Sequence, residues 1–183
     1  MVSFITKTEL RAFASEKSFQ DRTAVRKRAE TASVSISSFL SHSSKDDDLL
    51  VGAILVLEGH GSSVYIDEKD PEMPPYTSEE TAALLKSRIR QCKKFVMLAS
   101  DNSKNSKWVP WELGIADGAK GLNSVALFPA SNHSWEQSWA EWEYLGLYQK
   151  IVWGRLTGEE NSLWLVWNSK ANTAVPLSKW LRF

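Results

Sequence analysis

The feature that most constrains the fold of this chain is an alternation of short apolar segments with segments of helical periodicity. The apolar segments predict strands, and the apolar residues between them recur at three- and four-residue intervals, as on one face of a helix. Strands are expected at 35–41, 63–67, 95–100, 124–128 and 151–153. Strands that alternate with helices are typical of βαβ units. We therefore expect an α/β fold, with a central parallel sheet of about five strands and helices on both faces.

Capping signals predict where the helices begin. Ser43-x-x-Asp46 and Thr77-x-x-Glu80 each place a hydroxyl three residues before a carboxylate, which is the pattern of a helix start. A further helix is expected to begin near Ser106. These three helices separate the expected strands from one another.

The two ends of the chain differ from the alternating middle. Residues 1–32 predict an N-terminal helical extension, 33–155 the α/β domain, and 156–183 a Trp-rich segment packed on that domain. Seven of the nine tryptophans lie after residue 134. Three of these follow helical spacing and predict one face of a helix that packs in the core, covers a site, forms part of a ligand cage or forms an interface between copies: Trp135, Trp139 and Trp142.

Composition excludes several classes of function. The 22 basic residues balance the 22 acidic ones, so neither nucleic acid nor a membrane surface is expected as a partner. A single cysteine, Cys92, allows no internal disulfide, and a cytoplasmic location is expected. The histidines are far apart, so no metal site is expected.

The lone Gly59-x-Gly61 pattern predicts the end of a helix and not a phosphate loop.

Polar residues follow each of four expected strands. Parallel sheets bind ligands beyond the carboxyl ends of their strands, so these segments predict a site for a polar ligand. The segments are 41–43, 67–69, 100–102 and 129–131.

Trp108 and Glu112 form the most suggestive pair in the chain. They are four residues apart near the start of the third helix, which places both side chains on the same helix face. That helix start lies at the carboxyl edge of the sheet, where a carboxylate beside an aromatic ring can face a pocket. By itself the same spacing is also typical of an ordinary contact on a helix surface.

Three segments lie in a fixed order where an expected strand gives way to an expected helix: FLSHSSKD, VYIDEKD and SKNSKWVPWELGIAD. A proline-rich stretch lies between the second and the third. Together they resemble the TIR (Toll/interleukin-1 receptor) domain family over about residues 34–150. Trp108-x-x-x-Glu112 is similar to the W-x-x-x-E motif of the enzymatic members. The resemblance implies the flavodoxin-like TIR fold.

The resemblance also implies an activity. Enzymatic TIR domains break the bond between nicotinamide and ribose in NAD⁺, which is their substrate and not a cofactor. A glutamate at the position of Glu112 is their catalytic residue. Substrate contacts are then expected from residues at the neighbouring strand ends: Phe39, Ser41, His42, Ser43, Asp67 and Trp108. Phe39 is equally compatible with a place in the sheet core, and Asp67 with a role in capping the loop.

Assembly and biological setting are implied in the same way. Asp67–Thr77 matches the BB loop, through which TIR domains contact neighbouring copies, so a homo-oligomer is expected. A stand-alone TIR chain resembles the TIR component of Thoeris antiphage systems. Such a protein makes a cyclic or modified ADP-ribose that activates a separate effector. Two alternatives remain open: a non-enzymatic TIR interaction module, and a different flavodoxin-like protein that binds flavin or a nucleoside.

Overall fold

The computed structural model describes residues 2–67, 78–135 and 143–182, with Glu143 described by its backbone alone. The helices are α1 (Lys7–Ser15), α2 (Phe19–Glu30), α3 (Asp47–Gly59), α4 (Glu79–Gln91), α5 (Asp101–Lys104), α6 (Trp108–Lys120) and α7 (Leu177–Arg182). The strands are β1 (Ile5–Thr6), β2 (Ser37–Ser41), β3 (Ser63–Tyr65), β4 (Lys94–Ala99), β5 (Val125–Ser131), β6 (Gln149–Gly154), β7 (Leu163–Asn168) and β8 (Thr173–Pro176).

One sheet organises the molecule, with its strands in the order β3-β2-β4-β5-β6-β7-β8. The first five of these strands are parallel, and the short β1 also pairs in parallel with the end of β5. The predicted α/β class with a central, mostly parallel sheet is therefore confirmed. At one side the sheet continues through β7 and β8, which are antiparallel to their neighbours.

The two faces of the sheet bury separate hydrophobic cores, because successive side chains of a strand point in opposite directions. On β2, Leu40 faces the core formed with α1, α2, α3 and α7. Phe39 faces the core formed with α4 and α6. Both side chains are fully buried. Ser41 therefore points, like Phe39, toward the α4/α6 side.

The N-terminal region forms two helices, α1 and α2, and the break between them has a local cause. The Ser18 hydroxyl accepts a hydrogen bond from the Asp21 amide and so begins α2. Leu10 on α1 and Ala29 on α2 are fully buried against the sheet. Helix α1 packs tightly on α3, where a Cβ built on Gly52 would lie 2.1 Å from the Leu10 carbonyl oxygen.

Two helix starts differ in detail from the sequence prediction. The Ser43 hydroxyl accepts from the Lys45 amide and begins a single 3₁₀ turn, after which α3 starts at Asp47. At α4 the capping hydroxyl is that of Ser78, which accepts from the Thr81 amide, so the Thr77-x-x-Glu80 prediction was wrong in its capping residue. Both signals still marked the right part of the chain.

The Trp-rich C-terminal segment contains a β-hairpin that the sequence analysis did not predict. Strands β7 and β8 pair across a turn in which Asn172 has a φ of 51°. Trp164 on β7 makes edge-on ring contacts with Phe128 and with Trp153. Trp139 and Trp142, part of the predicted aromatic helix face, lie outside the described residues, and Trp135 is 76% exposed.

None of the helices in the described part of the chain combines the length and apolar character needed to cross a bilayer.

Candidate active site

The start of α6 places Glu112 beneath the carboxyl edge of the sheet. The Ser106 hydroxyl accepts hydrogen bonds from the amides of Trp108 and Val109, so it satisfies two of the free donors of this helix start. Pro110 fits in the first turn, where its missing N–H is no loss. Glu112 follows about one turn after Trp108, and only 4% of its surface is exposed.

A direct hydrogen bond joins Glu112 to the first parallel strand of the sheet. The Ser41 hydroxyl, at the carboxyl end of β2, donates to Glu112 Oε2 over 2.5 Å. Ser41 is fully buried. Such a short bond is typical of a hydroxyl that donates to a carboxylate. The structure thus brings together two residues that the sequence analysis named separately.

The surroundings of Glu112 disfavour its charged form. Burial raises the pKa of the Glu112 carboxyl well above its usual value, and the nearby Asp67 carboxylate raises that pKa further. The hydrogen bond from Ser41 acts in the opposite direction and lowers it. A buried carboxylate with a second acid beside it is a recurrent feature of functional sites, because neither the burial of a charge nor the repulsion between two acids helps the protein to fold.

The two aromatic residues named from the sequence differ in their environment. Phe39 is fully buried, with its ring 5.5 Å from that of Phe95 in a stacked arrangement and 5.5 Å from that of Tyr65. It lies one pleat below Ser41 on the same face of β2, so it forms the floor beneath the Ser41–Glu112 pair. Trp108 is half-buried and meets Trp111 edge-on, with ring centroids 5.2 Å apart.

The two residues that follow Ser41 extend this edge of the sheet. His42 is half-buried, and its Nδ1 lies 3.4 Å from the Leu40 carbonyl oxygen. Ser43 is 6% exposed, and its hydroxyl accepts from the Lys45 amide. Apart from Asp67 itself, the predicted BB loop, 67–77, lies outside the described residues.

Comparison with known proteins identifies the family. The model of the TIR domain matches residues 39–163, which include both Ser41 and Glu112. The chain belongs to the TIR domain family. A relative from Bacillus cereus (strain MSX-D12), named "Probable 3' cyclic ADP-D-ribose synthase ThsB'", is 36% identical over 147 residues, or 79% of this chain and 74% of that protein. A second, "Putative cyclic ADP-D-ribose synthase TIR2" of Cytobacillus dafuensis, is 31% identical over 112 residues, or 52% of this chain and 30% of that protein.

The TIR domain also contains a buried polar network at the same edge, which the sequence analysis missed. Asp46, 1% exposed, accepts hydrogen bonds from the Ser100 hydroxyl over 2.5 Å and from Asn102 Nδ2 over 2.7 Å. This network fixes the segment after β2 to the segment after β4. The sequence predicts Asp46 as the acidic partner of a helix cap, and nothing in its local sequence distinguishes that role from a contact 54 residues away.

A second contact connects the N-terminal helices to this edge of the TIR domain. Lys7 Nζ, at the start of α1, donates to Asp101 Oδ2 over 2.6 Å and to Asn132 Oδ1 over 3.1 Å. The segments after β4 and β5 are thereby held by one side chain.

Within 2–67, 78–135 and 143–182, no cluster of three or more His, Cys, Asp or Glu side chains is arranged to hold a metal ion.

Proposed function

We propose that this TIR protein cleaves NAD⁺, releases nicotinamide, and closes the remaining ADP-ribose into a cyclic product. The observation that carries the proposal is the buried Glu112 carboxylate, hydrogen-bonded to Ser41 at the carboxyl edge of the parallel sheet. Its relatives support the same activity, since two bear the name of a cyclic ADP-D-ribose synthase.

The chemistry needs one well-placed carboxylate and no general acid. The bond from the ribose C1′ to the nicotinamide nitrogen breaks, and its electron pair leaves with nicotinamide, which departs as a neutral molecule. The ribose is left with positive charge shared between C1′ and the ring oxygen, as in glycoside cleavage. An ionised Glu112 in a buried site stabilises that charge far better than it could in water.

The raised pKa of Glu112 suits this role. Burial and the Asp67 carboxylate favour the protonated form of Glu112. A cationic nicotinamide ring or a developing ribose cation nearby favours the ionised form instead. Binding of NAD⁺ is thus expected to ionise Glu112 where the negative charge is needed.

Cyclisation requires a second step within the same molecule. A hydroxyl oxygen of the ADP-ribose attacks C1′, a new C–O bond forms, and the hydroxyl proton leaves. In this proposal Glu112 accepts that proton, and its raised pKa makes it a better base than an ordinary glutamate. The linkage to examine first is the 3′ linkage in the name of the Bacillus cereus relative.

The other residues are given positioning roles. Ser41 orients the Glu112 carboxylate, and Phe39 supports both from below. Trp108 provides an aromatic wall next to the site. Asp67, His42 and Ser43 provide polar groups at the strand ends for the ribose hydroxyls and the phosphates.

The biological setting is part of the proposal. The ThsB name of a relative supports a place in antiphage defence of the Thoeris type. A cytoplasmic location belongs to the same proposal. The nucleotide product then acts on a separate effector. Contacts between copies through 67–77 are proposed to complete the site.

Product analysis tests this function. The purified protein is incubated with NAD⁺ at high protein concentration, and the nucleotide product is identified by mass spectrometry. A product lighter than ADP-ribose by one water supports cyclisation. ADP-ribose alone would reduce the activity to hydrolysis, and intact NAD⁺ would favour the non-enzymatic interaction module.

A further inference from the structure

A cavity of about 380 Å³ lies between the N-terminal segment and strands β6 and β7. This volume is within the range of small-molecule sites. Most of its lining is apolar, and its aromatic members are Phe4, Phe13, Trp153 and Trp164. One carboxylate, that of Glu9, completes the lining. The cavity is separate from the candidate active site, since neither Glu112 nor Ser41 lines it.

Backbone hydrogen bonds hold two sides of this cavity together. Ser3 and Trp153 exchange a pair of them, from the Ser3 amide over 2.8 Å and from the Trp153 amide over 2.9 Å. The Phe4 amide donates to the Ser134 carbonyl oxygen over 2.8 Å. The cavity walls are therefore formed by the fold itself, so a ligand would not have to order them on binding.

The two tryptophans form adjoining walls at a large angle. Trp153 on β6 is the antiparallel partner of Trp164 on β7. Their ring centroids lie 5.7 Å apart, with 73° between the ring planes. The buried Phe128 supports Trp164 from the core side, with its ring edge-on at 5.7 Å. Trp153 is 43% exposed, so solvent reaches this wall. A compact ligand between the two rings can contact both.

Glu9 gives the cavity a net negative charge. It is the only charged residue among the described residues that line the cavity. Its Oε2 accepts hydrogen bonds from the Thr6 amide over 2.8 Å and from the Thr6 hydroxyl over 2.7 Å. These bonds form the capping box of α1 and supply no positive charge. In the part of the chain that the structure describes, no basic side chain lies within ion-pair distance of Glu9.

The combination of indole rings with one carboxylate selects for the charge of the ligand. An anion would be repelled by Glu9, and a neutral apolar molecule would gain nothing from it. A cation is attracted both by the carboxylate and by the faces of aromatic rings, of which indole is the strongest. Alkylated ammonium groups suit such a cavity best, because their methyl groups also pack against the apolar walls.

We propose that this cavity is a second ligand site, which binds a small organic cation through an alkylated ammonium group. Trp153 and Trp164 contact the methyl groups of the cation. Glu9 supplies the opposite charge, and Phe4 and Phe13 complete the apolar lining. This proposal does not depend on the reaction proposed for Glu112.

Choline and its neutral carbon analogue 3,3-dimethylbutan-1-ol are the probes, titrated into the full chain by isothermal titration calorimetry. The two molecules have nearly the same shape and differ in charge. Choline is expected to bind wild type about tenfold more tightly than the analogue. Glu9→Gln is expected to weaken choline binding by about fivefold, as for the loss of one opposite charge near the surface. It should change the affinity for the analogue by less than about twofold.

Trp153→Leu separates the aromatic contribution from simple apolar contact. Leucine keeps an apolar side chain but has no ring, so choline is expected to bind about fivefold more weakly and the analogue about as in wild type. Trp153→Phe keeps a ring and should retain most of the choline affinity. A parallel loss of both probes in Trp153→Leu would overturn the cation contact.

Glu16→Gln is the matched control for Glu9→Gln. It removes an exposed carboxylate at the end of the same helix, outside the cavity, and should bind choline like wild type. Glutamine at position 9 still fits the capping box, so the Tm of Glu9→Gln is expected to stay close to that of wild type. Equal affinity of wild type for the two probes, or no binding of choline at all, would overturn the proposal. So would choline binding that survives in Glu9→Gln and is lost in Glu112→Gln, which would place choline at Glu112 instead.

Discussion

The Ser41 hydroxyl donates a 2.5 Å hydrogen bond to Glu112 Oε2 across 71 residues of sequence. The bond joins the end of β2 to the first turns of α6. This hydrogen bond stabilises the ionised form of Glu112 and lowers its pKa, whereas burial and the Asp67 carboxylate raise that pKa. The protonation of Glu112 therefore depends on two neighbours that act in opposite directions.

Replacement of Ser41 by Ala is expected to raise the pKa of Glu112 further, because the donor to its charged form is lost. The acid limb of the kcat/KM profile should move to higher pH. The rate near neutral pH should fall by about tenfold or more, from the usual contribution of a hydrogen bond to a charged group. A pH–rate profile of nicotinamide release measures both effects.

Ser37→Ala is the matched control for that variant. Ser37 is also buried on β2 and faces the same side, but its hydroxyl donates to the Ser33 carbonyl and to Ser63 at the opposite end of the strand. The pH–rate profile of Ser37→Ala should coincide with that of wild type. An unchanged profile in Ser41→Ala would contradict the role given to the Ser41 hydroxyl.

Asp67→Asn is expected to have the opposite effect on the same profile. Removal of the Asp67 charge lowers the pKa of Glu112, so a larger fraction of Glu112 is ionised at low pH. The acid limb of kcat/KM should move to lower pH. A shift in the same direction as that of Ser41→Ala would show that Asp67 does not act on Glu112 through its charge.

Glu112→Gln is expected to stabilise the fold at high pH. The folded pKa of Glu112 is raised, so its contribution to stability is complete below the unfolded pKa and is lost as pH rises through the folded value. Glutamine does not titrate and avoids that loss. The gain in Tm should be present at about pH 8 and should vanish near pH 4. Differential scanning calorimetry at the two pH values measures it. An equal gain in stability at the two pH values would mean that the ionisation of Glu112 does not cause the gain.

Gly52→Ala tests how tightly α1 is packed on α3. A Cβ at this position would meet the Leu10 carbonyl oxygen, which is backbone and cannot move aside. We expect a loss of about 2–3 kcal/mol in urea unfolding, as for other overpacked sites. Gly118→Ala on α6 is the control, because nothing lies within 4 Å of its added Cβ. It should gain about 0.5–1 kcal/mol. A similar small gain in Gly52→Ala would contradict the close packing.

The sequence predicted the parallel part of the fold well, because that part depends on local patterns. The buried strands β2, β4 and β5 are runs of apolar or small residues between helix caps. A parallel sheet then requires their carboxyl ends to meet at one edge. This rule places Ser41 and Ser100 at the same edge without any knowledge of their partners.

The side-chain contacts at that edge were not predictable in the same way. Asp46 has the local features of a helix-capping acid, yet it accepts hydrogen bonds from Ser100 and Asn102. The hairpin β7–β8 was not predicted either, because the apolar run in Leu163–Asn168 lacks the regular polar alternation that marks a half-buried strand. The break between α1 and α2, in contrast, had a readable signal in Ser18-x-x-Asp21. The assignment of Glu112 as the catalytic residue stays a prediction.

The most direct test of the account is nicotinamide release from NAD⁺ by concentrated wild type and by Glu112→Gln, assayed side by side. The variant keeps the size of the side chain and an acceptor for the Ser41 hydroxyl, and removes only the charge. Wild type is expected to release nicotinamide, and the variant to be slower by about a thousandfold, as when a central electrostatic contact is lost. Equal release by both proteins would contradict the account. So would a silent wild type, both when pure and in lysate from phage-infected cells.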